Sequence, residues 1–134
     1  MESSVRWPIA RILIIDDDSA VRNSLRTYFE RVGYQVAEAG DGRACLRLHA
    51  AAPADVIITD LFMPDVDGIE IIRELRRMPG RVKVIVVSGG DSTGTLNMLD
   101  HATLLGADRT FHKPLDPEAL LEAVRELLNT SSQR

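Results

Sequence analysis

Apolar residues recur along the chain with two alternating periods. Short β-favouring runs at 11–15, 34–39, 56–59, 83–87 and 110–112 are predicted strands. Between them the apolar positions fall at three- and four-residue steps. Val21, Leu25, Tyr28, Phe29 and Val32 precede Gly33; Ala44, Leu48 and Ala51 precede Pro53; Ile69, Ile72 and Leu75 precede Pro79-Gly80. Leu96, Leu99, Ala102 and Leu105 precede Gly106, and Leu120, Leu121, Val124, Leu127 and Leu128 close the chain. Such spacing is the one-sided stripe of a helix packed on a sheet. Ser19 is the predicted N-cap of the first helix, Asp41-Gly42 a turn before the second, Asp67 with Glu70 a capping box for the third, and Asp116 with Pro117 the start of the last. Five strand and helix units in strict alternation imply an α/β domain: a parallel sheet with right-handed crossovers and helices on both faces.

The strands end in polar groups. The first runs into Asp16, Asp17 and Asp18, the third into Asp60 with Met63-Pro64 forbidding its continuation, the fourth into Ser88-Gly89-Gly90, and the fifth into Lys113-Pro114. In a parallel sheet those ends share one rim, the place where ligands collect in open α/β folds. Asp16, Asp17, Asp60, Ser88 and Lys113 are therefore expected to converge. Three carboxylates so close repel one another unless a cation compensates. Oxygen ligands without His or Cys select a hard ion, so Mg²⁺ is expected, with Ca²⁺ or Mn²⁺ as alternatives. His49 lies in the wrong helix to contribute, His101 is expected at the surface, and His112 should face away from Lys113, its neighbour in the strand. A divalent ion, an ammonium and a hydroxyl around one carboxylate make a phosphoryl site. Asp60, on the central strand between the acidic pair and Ser88, is the expected attacking group.

Composition narrows the class. At 134 residues with 45% apolar content, the chain fits one domain able to bury a core without staples. Its single cysteine, Cys45, excludes an internal disulfide and is expected to pack as a small hydrophobe. A net charge of −4 argues against direct nucleic-acid binding, and the basic residues scattered along the helices read as a solvated face. Lacking a spanning apolar run or a signal-like start, the protein is expected to be cytoplasmic and away from membranes. The expected organisation is a lead-in at 1–10, a domain at 11–128, and a polar tail or start of a linker at 129–134.

In order and spacing, these residues match a known family. The chain resembles the receiver domain of two-component response regulators, related to the chemotaxis regulator. The matching marks are Asp16-Asp17, Asp60 followed four residues later by Pro64 and eight later by Gly68, Ser88, and Lys113-Pro114. The resemblance implies a flavodoxin-like, doubly wound five-stranded sheet in the order 2-1-3-4-5 with five helices. It implies that Asp60 is the phosphoacceptor and that Asp17, Asp60 and the backbone carbonyl of Phe62 ligate Mg²⁺, with Asp16 acting through a metal-bound water. Lys113 would pair with the phosphoryl group and Ser88 would hydrogen-bond it. The donor would be a histidine kinase or a histidine phosphotransfer protein. A downstream target would bind the face made by the 96–105 helix, the fifth strand and the last helix, and a homodimer is allowed. The chain would be a signalling module that catalyses only its own phosphoryl transfer and dephosphorylation.

Three features depart from the family pattern. Thr110 stands where an aromatic switch residue is usual, while Phe111, one residue later, is expected in the core. The segment between Ser88 and Lys113 is about three residues longer than usual, with the extra length at 89–95, where loops admit insertions. Neither Phe62 nor Gly90 can orient a hydrolytic water, which predicts a long-lived phosphoryl-aspartate. The alternative reading is a haloacid-dehalogenase-like phosphatase with Asp16 as nucleophile and Asp18 as second acid. A flavodoxin-like cofactor binder would need a Gly-rich loop after strand one and aromatics to sandwich a flavin, and the chain has neither.

Overall fold

A computed structural model describes residues 9–61, 68–89, 103, 106–113 and 115–132. Of the predicted 96–105 helix only Thr103 is among them; Asp67 of the predicted capping box and the segment 90–95 lie outside. So do Phe62, Pro64, His101 and Pro114.

Five strands form the sheet: β1 (Arg11–Ile15), β2 (Gln35–Ala39), β3 (Val56–Asp60), β4 (Lys83–Ser88) and β5 (Arg109–His112). Their order is β2-β1-β3-β4-β5 and every pairing is parallel. Among the described residues there are four helices: α1 (Ser19–Arg31), α2 (Gly42–Ala51), α3 (Gly68–Arg77) and α4 (Pro117–Ser132). None is long and apolar enough to cross a membrane.

Alternation along the buried strands sorts their side chains into two layers. Leu13, Ile15, Ile57, Val84 and Val86 pack with Cys45, Ile71, Ile72 and Leu75 under α2 and α3. Ile12, Ile14, Ile58, Ile85 and Val87 pack with Leu25, Phe29, Leu120 and Val124 under α1 and α4. Phe111, expected in the core, is half-buried and packs against the edge of this second layer. Cys45 is wholly buried, and its desolvation pushes the thiol up to about 12.

Strand ends shift by at most one residue, and two helix ends also move. The N-cap of α1 is Asp18, not Ser19: the Asp18 carboxylate accepts from the Ala20 and Val21 amides at 2.9 and 3.3 Å, which leaves Ser19 as the first helical residue. The last helix continues through 129–132, because that polar stretch holds neither the Gly nor the Pro that would stop it. Other starts agree with the pattern. Asp41 caps α2 by accepting from Ala44 N at 2.8 Å, and Asp116 accepts from Glu118 N at 3.1 Å ahead of α4. Gly33 follows α1 with φ of 105°, a conformation that side-chain-bearing residues rarely adopt.

Candidate functional site

Asp16 sits one residue beyond β1 and is held on every polar side. Its amide donates to Ala39 O on β2 at 3.2 Å, and its Oδ1 accepts from Asp18 N at 2.9 Å. Its Oδ2 lies 3.3 Å from Lys113 Nζ, and its carbonyl accepts from Arg22 Nη1 at 2.6 Å. Asp18 turns away to cap α1, so the exposed Asp17 projects from between two fixed neighbours.

Asp60 ends β3 in register with Val87 of β4. Leu61 N donates to Val87 O at 2.8 Å, prolonging the ladder past the carboxylate, and the Thr59 hydroxyl donates to Asp60 O at 2.9 Å. Asp16 and Asp60 are only 5% and 8% exposed, low for carboxylates that would otherwise be hydrated. Oxygen atoms of Asp16, Asp17 and Asp60 lie within 4.8 Å of one another. Hard cations bind oxygen at about 2.0–2.6 Å, so one ion can reach all three. The donor set therefore fits Mg²⁺, the ion expected from the sequence.

Lys113 follows β5, its amide donating to Ser88 O at 2.8 Å, and its ammonium lies 3.5 Å from Asp60 Oδ2 as well as beside Asp16. Burial pulls its pKa down, but the Asp60 and Asp16 carboxylates outweigh that and raise it above the ordinary lysine value. Ser88 is fully buried at the end of β4, its hydroxyl donating to Gly89 O at 3.2 Å. Asp16, Asp17, Asp60 and Lys113 thus come together, with Ser88 at the end of the adjacent strand.

Both described histidines, His49 and His112, stay outside the site. His49 is buried in α2 and its Nδ1 accepts from Ala54 N at 3.0 Å, while His112 is exposed. The phosphatase reading finds no support, because Asp18 is spent on the first turn of α1 and takes no part in the carboxylate cluster.

Arg22 is the site neighbour that pattern reading missed. Beyond its bond to Asp16 O, its Nε donates to Glu38 Oε1 of β2 at 3.1 Å. A signal was present: the fourth residue of a helix is a poor place for a cation, given the positive end of the helix dipole. A basic residue there calls for a specific partner.

Comparison with known proteins agrees with this geometry. A model of the response regulator receiver domain matches residues 12–125. Response regulator MprA of Mycolicibacterium vanbaalenii is 39% identical over 123 residues, covering 91% of this chain and 52% of MprA. The chain therefore spans about half the length of that relative. Sporulation initiation phosphotransferase F of Bacillus subtilis is 31% identical over 122 residues, covering 91% of this chain and 96% of the phosphotransferase. Among solved structures, a CheY-like response regulator receiver domain protein from Methanospirillum hungatei superposes with a TM-score of 0.86 at 30% identity, over 93% of this chain and 98% of that one. Sheet order, acidic cluster, family model and relatives coincide, and the chain belongs to the response regulator receiver domains of two-component systems.

Proposed function

We propose that the protein accepts a phosphoryl group on the Asp60 carboxylate from a phosphohistidine, and that the modified domain binds a downstream target differently. The observation that carries this reading is the Lys113 ammonium 3.5 Å from Asp60 Oδ2, within a cluster of three carboxylates at the carboxyl rim of the sheet. Receiver domains interact with histidine kinases or phosphotransfer proteins and use Mg²⁺ at such a cluster. Here Asp16, Asp17 and Asp60 would hold the ion, with the Phe62 carbonyl as the expected further ligand. When bound, Mg²⁺ supplies a Lewis-acid contact to phosphoryl oxygens and offsets the carboxylate charge.

The residues divide the remaining work. An Asp60 oxygen forms the new P–O bond as the donor's P–N bond breaks; the imidazole nitrogen keeps the electron pair and takes up a proton from solvent. Asp60 needs no general base, because it attacks as the carboxylate. Lys113, held charged by its neighbours, stays as the counter-charge to the transferred group. Ser88 exchanges its bond to Gly89 O for a phosphoryl oxygen. Phosphorylation adds up to about two negative charges. The movement of Ser88 toward them biases β5, which pairs with β4 beside it, and so changes the face that a partner reads.

Two settings accommodate this activity. The domain acts alone as a shuttle in a phosphorelay, or it is the receiver of a longer regulator of the length of MprA. The chemistry is tested by incubating the protein with an acyl phosphate and Mg²⁺ and measuring intact mass. One added phosphoryl group is expected in the wild type and none in Asp60→Ala. Equal modification of both proteins would overturn the assignment.

A further inference from the structure

We infer that Arg22 is a positioning residue for the cation site: its guanidinium fixes the peptide from which Asp17 projects, so that the Asp17 carboxylate meets those of Asp16 and Asp60. This inference rests on the metal-assisted reading above.

The chain of contacts is short. The carbonyl of Asp16 belongs to the peptide plane whose nitrogen is that of Asp17, and Arg22 Nη1 donates to that carbonyl at 2.6 Å. The Asp16 amide is tied to Ala39 O at 3.2 Å, so the residue is held on both sides and the departure direction of Asp17 is set. Asp17 is the exposed member of the three acids, with the least packing to orient it. Main-chain anchorage is therefore the means by which its carboxylate is directed.

Arg22 is itself held by a carboxylate that is anchored in turn. Its Nε donates to Glu38 Oε1 at 3.1 Å, and the other oxygen of Glu38 pairs with Arg26 Nη1 at 2.6 Å. A Cβ on Gly40 would stand 3.3 Å from Arg22 Nη1, so the guanidinium passes over a residue with no side chain to obstruct it. Glu38 also solves an electrostatic problem. A lone guanidinium behind a cation site would repel the cation, whereas one paired with a carboxylate supplies geometry at little net charge. Groups that orient metal ligands are worth about 10–100-fold in affinity when removed.

The test is Mg²⁺ binding to the unphosphorylated protein by titration calorimetry, with melting in EDTA as a control for folding. Arg22→Ala is expected to weaken Mg²⁺ binding about tenfold. Arg22→Lys, which reaches one acceptor but cannot bridge Asp16 O and Glu38, should recover part of the loss. Gly40→Ala keeps the arginine and crowds it, and should shift affinity in the same direction by less. Should Arg22→Ala and Gly40→Ala melt earlier in EDTA yet bind Mg²⁺ as the wild type does, Arg22 is only a structural staple and the inference is wrong. Failure of the wild type itself to bind Mg²⁺ would overturn the metal-assisted reading and this inference with it, which separates the two failures.

Discussion

Gly89 abuts the stem of Lys113: a Cβ on Gly89 would stand 3.0 Å from Lys113 Cδ and 3.4 Å from Lys113 Cβ. The lysine thus reaches Asp60 and Asp16 across bare main chain directly after Ser88. Gly89→Val should push the stem aside and lengthen both ammonium–carboxylate contacts. Misplacing a reacting constellation by about 1 Å costs up to about a hundredfold in rate. Phosphorylation of Asp60 by an acyl phosphate is therefore expected to slow at least tenfold in Gly89→Val, as followed by time-resolved intact mass. A wild-type rate would show that the stem has room to spare.

Asp17 sets stability against binding. Its carboxylate lies within 4.8 Å of two others, so without metal it adds repulsion to the folded state. Asp17→Asn should melt a few degrees higher than the wild type in EDTA. The same variant should bind Mg²⁺ more weakly and gain less stability from added Mg²⁺, since stabilisation by a ligand follows its affinity. Thermal melts with and without Mg²⁺ give both quantities; a variant less stable in EDTA would contradict the crowding of charge.

Stability should fall in mild acid because of His49. Burial lowers its pKa, and its Nδ1 accepts from Ala54 N, so a proton there would set two donors face to face. The unfolded chain, with an ordinary histidine pKa of about 6.5, then binds more protons than the folded one, and stability is lost as pH drops below that value. The loss levels off once pH is below the folded-state pKa. Denaturant melts between pH 7 and 5 should show this slope in the wild type and a shallower one in His49→Gln.

Arg76 clasps the far end of the sheet. Its guanidinium donates to Val82 O at 2.8 Å and Gly106 O at 2.6 Å, and pairs with Asp108 at 3.3 Å, while Asp108 Oδ2 accepts from Val84 N at 2.8 Å. Arg76→Ala removes the guanidinium from two carbonyls and leaves Asp108 with the Val84 amide but without its cation, and a destabilisation of about 1–3 kcal/mol is expected from urea unfolding. The Arg76 stem also lies where a Gly106 side chain would go: a Cβ there would come within 2.9 Å of Nε, and Gly106 has φ of 120°. Gly106→Ala should therefore destabilise as well, through both strain and displacement of the clasp.

The strand ends carry most of what could be read from the chain alone. Asp16, Asp17, Asp60, Ser88 and Lys113 were legible because an apolar run that stops at a polar residue fixes both a strand and its tip. A parallel sheet then gathers the tips. Interactions made by long side chains were at most hinted at, as by the cation of Arg22 in the first turn of its helix, and their partners were not legible. Arg22 and Arg76 looked like two more cations on solvated helix faces, since periodicity says which face a residue occupies but not that an arginine can reach back to a carbonyl. The choice between Asp18 and Ser19 as cap was hidden for a different reason: both side chains can accept from the first turn, and only the path of the chain out of β1 decides. His49 likewise gave no sign that a backbone amide five residues on would satisfy its ring nitrogen.

The sheet works as a septum. Leu13 and Ile57 belong to the compartment beneath α2 and α3, whereas their neighbours Ile14 and Ile58 belong to the one beneath α1 and α4. Among the described residues the two compartments meet at the strands they share, so a substitution that refits α1 against α4 is expected to leave the seating of α2 and α3 largely undisturbed. One flank of the molecule is thereby free to diversify toward new partners while the tips that hold Asp16 and Asp60 keep their alignment.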